Sequence, residues 1–242
     1  MIELGAGDGT KTRQLLTALN DRHFQYDYIP VDISKNVLDN LEKDLHTHLP
    51  KTSVKPQHGD YFNSLHSLKN SHHPKVVLFL GSNIGNMPDD KAQQFLQQLS
   101  NNLNTGDKLL LGVDLIKPAS VILPAYDDEK GITGAFNINL LERINNELDG
   151  SFDLDKFEYA PEYDEKDGIA KSYLKSKCDQ EVEIKATGKI YQFNKGEKIH
   201  TEISRKYNDE ILNNIIHDTS LRISEKFTDS KLYFADIILT KQ

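Results

Sequence analysis

Two apolar runs, VVLFLG at 76–81 and LLLGVDLI at 109–116, show no alternation of polar and apolar positions. A strand with one wet face alternates, whereas a strand buried on both faces does not. Strands of the second kind belong to parallel sheets covered by helices on either side. The rest of the first 116 residues agrees with that restriction. Strands are expected at 2–5, 26–33, 53–60, 75–81 and 108–115, separated by helical patterns near 9–20, 35–46 and 89–103. The pattern is that of a doubly wound α/β sheet.

From about residue 117 the character changes. AFNINLLERINNEL (135–148) places Phe136, Leu140, Leu141, Ile144 and Leu148 on one helical face. After it come short runs near 156–163, 169–177, 181–185, 189–193 and 198–206, joined by EKDG, ATG and NKGE, which carry turn chemistry. These read as successive antiparallel strands. The chain then returns with a helix at 208–218 and two terminal strands, LRISEKFT and KLYFADIILT. The expected organisation is one α/β domain, 1–116 with 207–242, interrupted by an inserted lobe at 117–206.

At 242 residues the chain can bury roughly 70–75% of the surface it would expose unfolded, which a single core can use. Its formal charge of −8, from 29 Lys and Arg against 37 Asp and Glu, argues against a nucleic-acid partner, because such binding needs a basic face to neutralise phosphates. A small molecule is the expected ligand. Cys178 is the only cysteine, so no intramolecular disulfide forms and a reducing compartment, the cytoplasm, is expected. The longest apolar runs are too short to span a bilayer, so no membrane partner is expected.

In ELGAGDGTKT the glycines Gly5, Gly7 and Gly9 follow a strand and open a helix. Glycine there permits positive φ and lets a ligand approach the backbone, and the helix N-terminus offers unpaired N–H groups. The spacing departs from the dinucleotide fingerprint G-x-G-x-x-G, because Thr10 stands where the last glycine would be. Asp32 ends the second strand, where a carboxylate can accept from both hydroxyls of a ribose. Asp60 ends the third and could accept from an adenine amine, with Tyr61 or Phe62 against the ring. At the fourth strand end LGSNIGNM concentrates Gly81, Ser82, Asn83, Gly85 and Asn86 at the switch point of the sheet. An asparagine there can accept from an amine and donate to a carboxylate. In HTEIS, Glu202 and Ser204 alternate with Ile203 and so share one face of a strand. A carboxylate on that face is a natural acceptor for an imidazole N–H.

No metal is expected: His46 with His48, and His72 with His73, lack a third ligand at a recognisable spacing. No G-x-S-x-G nucleophile turn is present. A nicotinamide-dependent oxidoreductase is disfavoured by Thr10 and by the two terminal strands.

ELGAGDGTKTRQLL, YIPVDIS, FLGSNIGN, GVDLIKPASVILPAYDDEKGITGAFNINLLERINNEL and HTEISRKY, in that order along the chain, resemble the histidine-specific S-adenosylmethionine-dependent methyltransferases, the histidine Nα-methyltransferases of ergothioneine biosynthesis. The resemblance implies a class I methyltransferase (Rossmann-like) doubly wound sheet with an inserted α+β substrate-binding lobe. It implies methyl transfer from S-adenosyl-L-methionine to the α-amine of a small amino-acid substrate, with L-histidine the expected one. Carried over by motif, Gly5, Gly7, Lys11, Asp32, Asp60 and Tyr61 would contact the cofactor. Gly81, Asn83 and Asn86 would meet the substrate's amine and carboxylate, with Asn86 at the reacting nitrogen. Tyr126 and Phe136 would line the site, and Glu202 with Ser204 would hold the imidazole.

Two positions depart from the family pattern. Asn83 replaces a hydroxyl residue in the G-S-x-I-G-N turn, and Ser172 stands where a methionine of the substrate wall is expected. Both bear on the amino-acid pocket rather than on methyl transfer. The first strand has almost no lead-in, and no residue matches the tyrosines that a helical N-terminal segment contributes in the family. The expectation is therefore an N-terminally shortened, weakly active form, with a non-catalytic cofactor-binding homologue as the other alternative. No general base is evident.

Overall fold

The computed structural model describes every residue except Asn70 and His72, and every side chain of the rest except that of Leu68. It divides into two compact units: Met1–Ile84, Asp89–Leu115 and Asn208–Gln242 form the first, Gly85–Pro88 and Ile116–Tyr207 the second.

Unit 1 begins as β1 (Ile2–Leu4), α1 (Thr10–Asp21), β2 (Asp27–Asp32), α2 (Lys35–His48), β3 (Ser53–Val54), β4 (Gln57–His58), α3 (Tyr61–Leu68), β5 (Val76–Phe79), α4 (Asp89–Asn101) and β6 (Lys108–Asp114). Unit 2 follows with α5 (Ala119–Tyr126), α6 (Ile132–Leu148), β7 (Phe157–Tyr159), β8 (Glu162–Asp164), β9 (Ile169–Ser176), β10 (Gln180–Ile184), β11 (Lys189–Phe193) and β12 (Lys198–Arg205). Unit 1 is then completed by α7 (Asp209–Ile216), β13 (Leu221–Thr228) and β14 (Phe234–Lys241).

The sheet of unit 1 has the order β13-β14-β6-β5-β1-β2-β3, with β4 also on β2. Its pairings from β6 to β4 are parallel, while β14 runs antiparallel to β6 and β13 antiparallel to β14. Val77, Leu78 and Phe79 of β5 and Leu109, Leu111 and Val113 of β6 are buried, which is what runs without alternation require. Leu16 of α1 and Leu41 and Leu45 of α2 close over Tyr28 and Ala6. Each such leucine contributes about 1.5–3 kcal/mol by leaving water. The strand order reverses at β1, between β2 and β5, so a crevice opens outside the carboxyl ends of these strands.

The expected third strand, 53–60, is two short pieces. Lys55 N–H donates to the Tyr28 carbonyl at 2.8 Å, but Pro56 has no N–H to continue the ladder. Two helices escaped the periodicity reading. α3 is started by Asp60, whose Oδ1 accepts from Phe62 N–H at 2.9 Å and Asn63 N–H at 3.2 Å. α5 carries Pro124 in its interior, which hides its helical pattern.

Unit 2 holds a sheet in the order β12-β9-β7 with β8 on β9, all antiparallel, and a separate β10-β11 hairpin. The strands expected in succession are antiparallel, but β9 pairs β12 rather than its successor β10, and the run 156–163 breaks at Ala160-Pro161 into β7 and β8. Alternate residues of β9, Ala170, Ser172, Leu174 and Ser176, are buried. Leu141, Phe152, Phe157, Leu174 and Val182 make the core, where the Phe152, Phe157 and Phe193 rings pack with centroids 5.5–6.3 Å apart. The buried face of α6 is a second correction. Asn137 and Leu141 are inside and Ile138 and Ile144 pack against the core, whereas Phe136, Leu140 and Leu148 are exposed, Phe136 to 72%.

Candidate functional site

The strand ends of unit 1 converge on the glycine loop. Gly5 follows β1 with φ +70°, and its N–H donates to the Val31 carbonyl at 2.9 Å, which ties the loop to β2. A methyl carbon on Gly5 would stand 2.7 Å from Tyr61 Oη and 3.6 Å from Asn83 Nδ2. On Gly7 it would meet nothing within 4 Å, so the backbone there faces open space. On Gly9 it would stand 2.2 Å from Leu41 Cδ1. The three glycines therefore meet three different demands: close approach of Tyr61, an open backbone, and packing of the loop on α2. Asp8 Oδ1 accepts from Thr10 N–H at 3.0 Å at the start of α1, while Gly9 at the cap position makes no side-chain bond; a helix N-terminus of this kind favours a polar ligand.

Behind the loop, buried Glu3 accepts from Thr12 Oγ1 at 2.5 Å and from the Tyr28 hydroxyl. Burial pushes the Glu3 carboxyl above its ordinary range, and both hydrogen bonds oppose that rise.

Asp32 ends β2 with Oδ1 accepting from Ser34 N–H at 2.9 Å, which turns the chain into α2 and leaves Oδ2 for a ligand. Asp60 spends Oδ1 on the cap of α3. Between them stands Tyr61, whose hydroxyl is held above its ordinary pKa by burial first and then by the charges of Asp32 and Asp60. Its ring meets Phe79 edge-on at 6.4 Å.

At the end of β5, Gly81 and Ser82 take positive φ in succession, +73° and +60°. For Ser82 this conformation costs about 1–3 kcal/mol. Ser82 Oγ accepts from Asp114 N–H at 3.0 Å, which holds it there. A methyl carbon on Gly81 would stand 3.7 Å from Asn83 Oδ1 and 3.8 Å from Lys11 Nζ. Gly5, Lys11, Tyr61, Gly81 and Asn83 are thus brought together within unit 1. Asn86 ends the 3₁₀ turn Asn83–Asn86 and is exposed.

In unit 2 the register sets Glu202 opposite Ser172 and Ser204 opposite Ala170, so Ser172, Glu202 and Ser204 share one face. Ser172 is buried, and its hydroxyl meets Tyr159 Oη at 3.0 Å. Burial first raises the Tyr159 pKa, the Ser172 bond opposes this, and the charge of Glu202 adds to it, followed by Tyr126 and Asp127. Lys206 Nζ donates to Tyr126 Oη at 2.8 Å and to Ser204 Oγ at 2.9 Å. Thr201 Oγ1 lies 2.7 Å from Asn137 Oδ1 and 3.1 Å from the Ser172 carbonyl, both within reach of its hydroxyl, at the register shift between His200 and Glu202.

Tyr159, Lys206, Asn137 and Thr201 are absent from the sequence reading. Lys206 had a signal, since it continues the alternation of Glu202 and Ser204. Tyr159 had none, because only the pairing of β7 with β9 and the gap at Gly134, where a methyl carbon would touch its ring at 3.5 Å, bring it in. Of the histidines, His48 Nδ1 meets Asp44 and His72 lies outside the described residues. Among the described residues no cluster of three or more His, Cys, Asp or Glu could hold a metal ion. No helix among them is long and apolar enough to cross a membrane.

A sheet of this order, with a glycine turn between its first strand and first helix, defines the class I methyltransferase fold. A solved S-adenosylmethionine-dependent methyltransferase from Clostridium acetobutylicum superposes with a TM-score of 0.51 at 12% identity, covering 99% of this chain and 82% of that one. The family described as "Histidine-specific methyltransferase, SAM-dependent" matches residues 1–241, and this chain belongs to it. The histidine N-alpha-methyltransferase of Mycolicibacterium smegmatis is 34% identical over 229 residues, 95% of this chain and 71% of that protein. That of Mycobacterium tuberculosis is 33% identical over 207 residues, 86% and 64%. Ergothioneine biosynthesis protein 1 of Schizosaccharomyces pombe is 27% identical over 249 residues, 100% and 32%. The chain thus spans about two thirds of the length of the two mycobacterial relatives.

Proposed function

We propose that this chain transfers the methyl group of S-adenosyl-L-methionine to the α-amino nitrogen of L-histidine, in the reaction class that opens ergothioneine synthesis. The substrate reading is carried by the unit 2 face on which Glu202 and Ser204 stand opposite Ser172 and Ala170, a carboxylate and hydroxyls suited to the two nitrogens of an imidazole. The lone thiol, Cys178, is free, which suits the cytoplasm.

The residues of unit 1 fit the cofactor. Gly7 leaves the backbone open and Gly5 admits the Tyr61 hydroxyl, Asp32 would offer Oδ2 to the ribose hydroxyls, and Asp60 with Tyr61 would meet the adenine. Lys11 supplies a positive charge beside Gly81. When bound, S-adenosyl-L-methionine supplies an electrophilic methyl on a sulfonium. Gly81, Asn83 and Asn86 would orient the amino-acid backbone, with Asn86 accepting from the amine so that its lone pair faces the methyl. Orientation of that kind can carry about 7–11 kcal/mol of a barrier. An α-amine is mostly protonated near neutral pH, so the site must favour its neutral form. Within unit 2 taken by itself, Tyr126 and Phe136 would flank an imidazole, and Ser172, Glu202 and Ser204 would hold it.

Incubation of the purified chain with S-adenosyl-L-methionine and an equimolar mixture of the twenty amino acids, read by mass spectrometry, tests this. Nα-methylated histidine as the main product is the expected result. Methylation of another amino acid overturns the substrate, and tight S-adenosylhomocysteine binding without any product makes the chain a non-catalytic homologue.

A further inference from the structure

The strand ends of unit 1 also hold a carboxylate that no motif marks. Asp236 lies in the apolar run of β14, opposite Gly112 of β6. A methyl carbon on Gly112 would stand 3.2 Å from Asp236 Oδ1, 3.2 Å from Phe234 Cζ and 3.3 Å from the Gly81 nitrogen. Gly112 is therefore the gap that lets this carboxylate reach the end of β5. Lys11 reaches the same glycine, its Nζ 3.8 Å from where a Gly81 Cβ would be.

Asp236 is half-buried, and burial pushes its carboxyl above the ordinary range while the Lys11 charge pulls it down. Lys11 and Asp236 feel each other yet make no ion pair at contact distance among the described residues. A half-buried carboxylate without a contact partner is costly. An ammonium group placed beside it would remove that cost, and a carboxylate beside Lys11 would complete the match. The one group that carries both charges on a single carbon is an α-amino acid.

We propose that Asp236 and Lys11, held apart around Gly81, recognise a zwitterionic α-amino-acid group, Asp236 taking the ammonium and Lys11 the carboxylate. This rests on the reading of unit 1 as the cofactor site and adds Asp236 to it. The cofactor carries that group at its methionyl end; the substrate's amine, which must be neutral to react, does not.

The test compares the parent chain with Asp236→Asn by calorimetric titration of S-adenosylhomocysteine, which has the zwitterion, and of 5′-methylthioadenosine, which shares the nucleoside and lacks it. KM for histidine and the thermal unfolding midpoint are measured alongside. A loss of tenfold or more for S-adenosylhomocysteine, with 5′-methylthioadenosine unchanged, supports the role and assigns the group to the cofactor. Unchanged cofactor binding with a tenfold rise in KM overturns it and places Asp236 with the substrate instead. All three unchanged, or both compounds weakened in step with a lowered midpoint, overturns the proposal. A parent chain that binds neither compound overturns the reading of unit 1 itself, and the Asp236 role with it.

Discussion

The glycine loop of unit 1 and the β9–β12 face of unit 2, the two regions proposed to bind ligands, are built by opposite means. In the loop the useful feature is absence: Gly7 has nothing within 4 Å of its missing side chain, and Gly9 at the cap of α1 contributes no side-chain bond. On the β9–β12 face the useful feature is presence, with Glu202, Ser204, Tyr159, Tyr126 and Lys206 coupled across strands through hydroxyls and charges. The comparison teaches that a backbone site is set by local conformation, whereas a side-chain site is set by register. A change in the first should act through shape, and a change in the second through chemistry.

The sharpest way to break this contrast is within the loop. Gly9→Ala would drive a methyl into Leu41 at positive φ, and overpacking with left-handed strain should cost about 2–4 kcal/mol. Urea unfolding measures it. If shape is the cause, Gly9→Ala combined with Leu41→Ala should cost less than the sum of the two; strict additivity would show that Gly9 is not there for packing.

Asp32→Ala should cost about 0.5–1.5 kcal/mol of stability through the lost Ser34 N–H bond and weaken S-adenosylhomocysteine by more, about 1.5–3 kcal/mol, the worth of hydrogen bonds to a charged acceptor. Calorimetry that finds equal affinity removes Asp32 from the ribose role. On the other face, Glu202→Gln keeps the shape and removes the charge, so it should lower preference for histidine over phenylalanine by about 1–2 kcal/mol. Competition assays with an unchanged ratio would make Glu202 a bystander.

The smallest effect is a slope. Glu3 binds its proton more tightly folded than unfolded, so the folded protein holds more protons between the unfolded value, near 4.5, and the raised folded one. Stability from this group is full below that window and falls as pH rises through it. Glu3→Gln should therefore gain on the parent as pH increases, and urea midpoints across a pH series with parallel curves would contradict the raised carboxyl.

Much of unit 1 was legible because its signals are local. Unalternating runs specify strands covered on both sides, and the G-x-G-x-G spacing specifies a turn with positive φ. The third strand was misread only where Pro56 interrupts the ladder. The face of α6 was misread because its interior follows the core of unit 2, so that Asn137, anchored by Thr201, lies inside while Phe136 lies outside.

The sequence by itself determined the doubly wound sheet, the glycine turn after the first strand, the closing terminal strands and the alternation that puts Glu202 and Ser204 on one face. Only the tertiary structure decided which partners those groups meet. Ser172 faces Glu202, Tyr159 meets Ser172, and Asp236 reaches Gly81 over Gly112 because strands far apart in sequence pair in one register. Local conformation is fixed by sterics within a few residues. Register is fixed by burial summed over whole strands, and a slip of one residue would turn every one of these side chains to the other face.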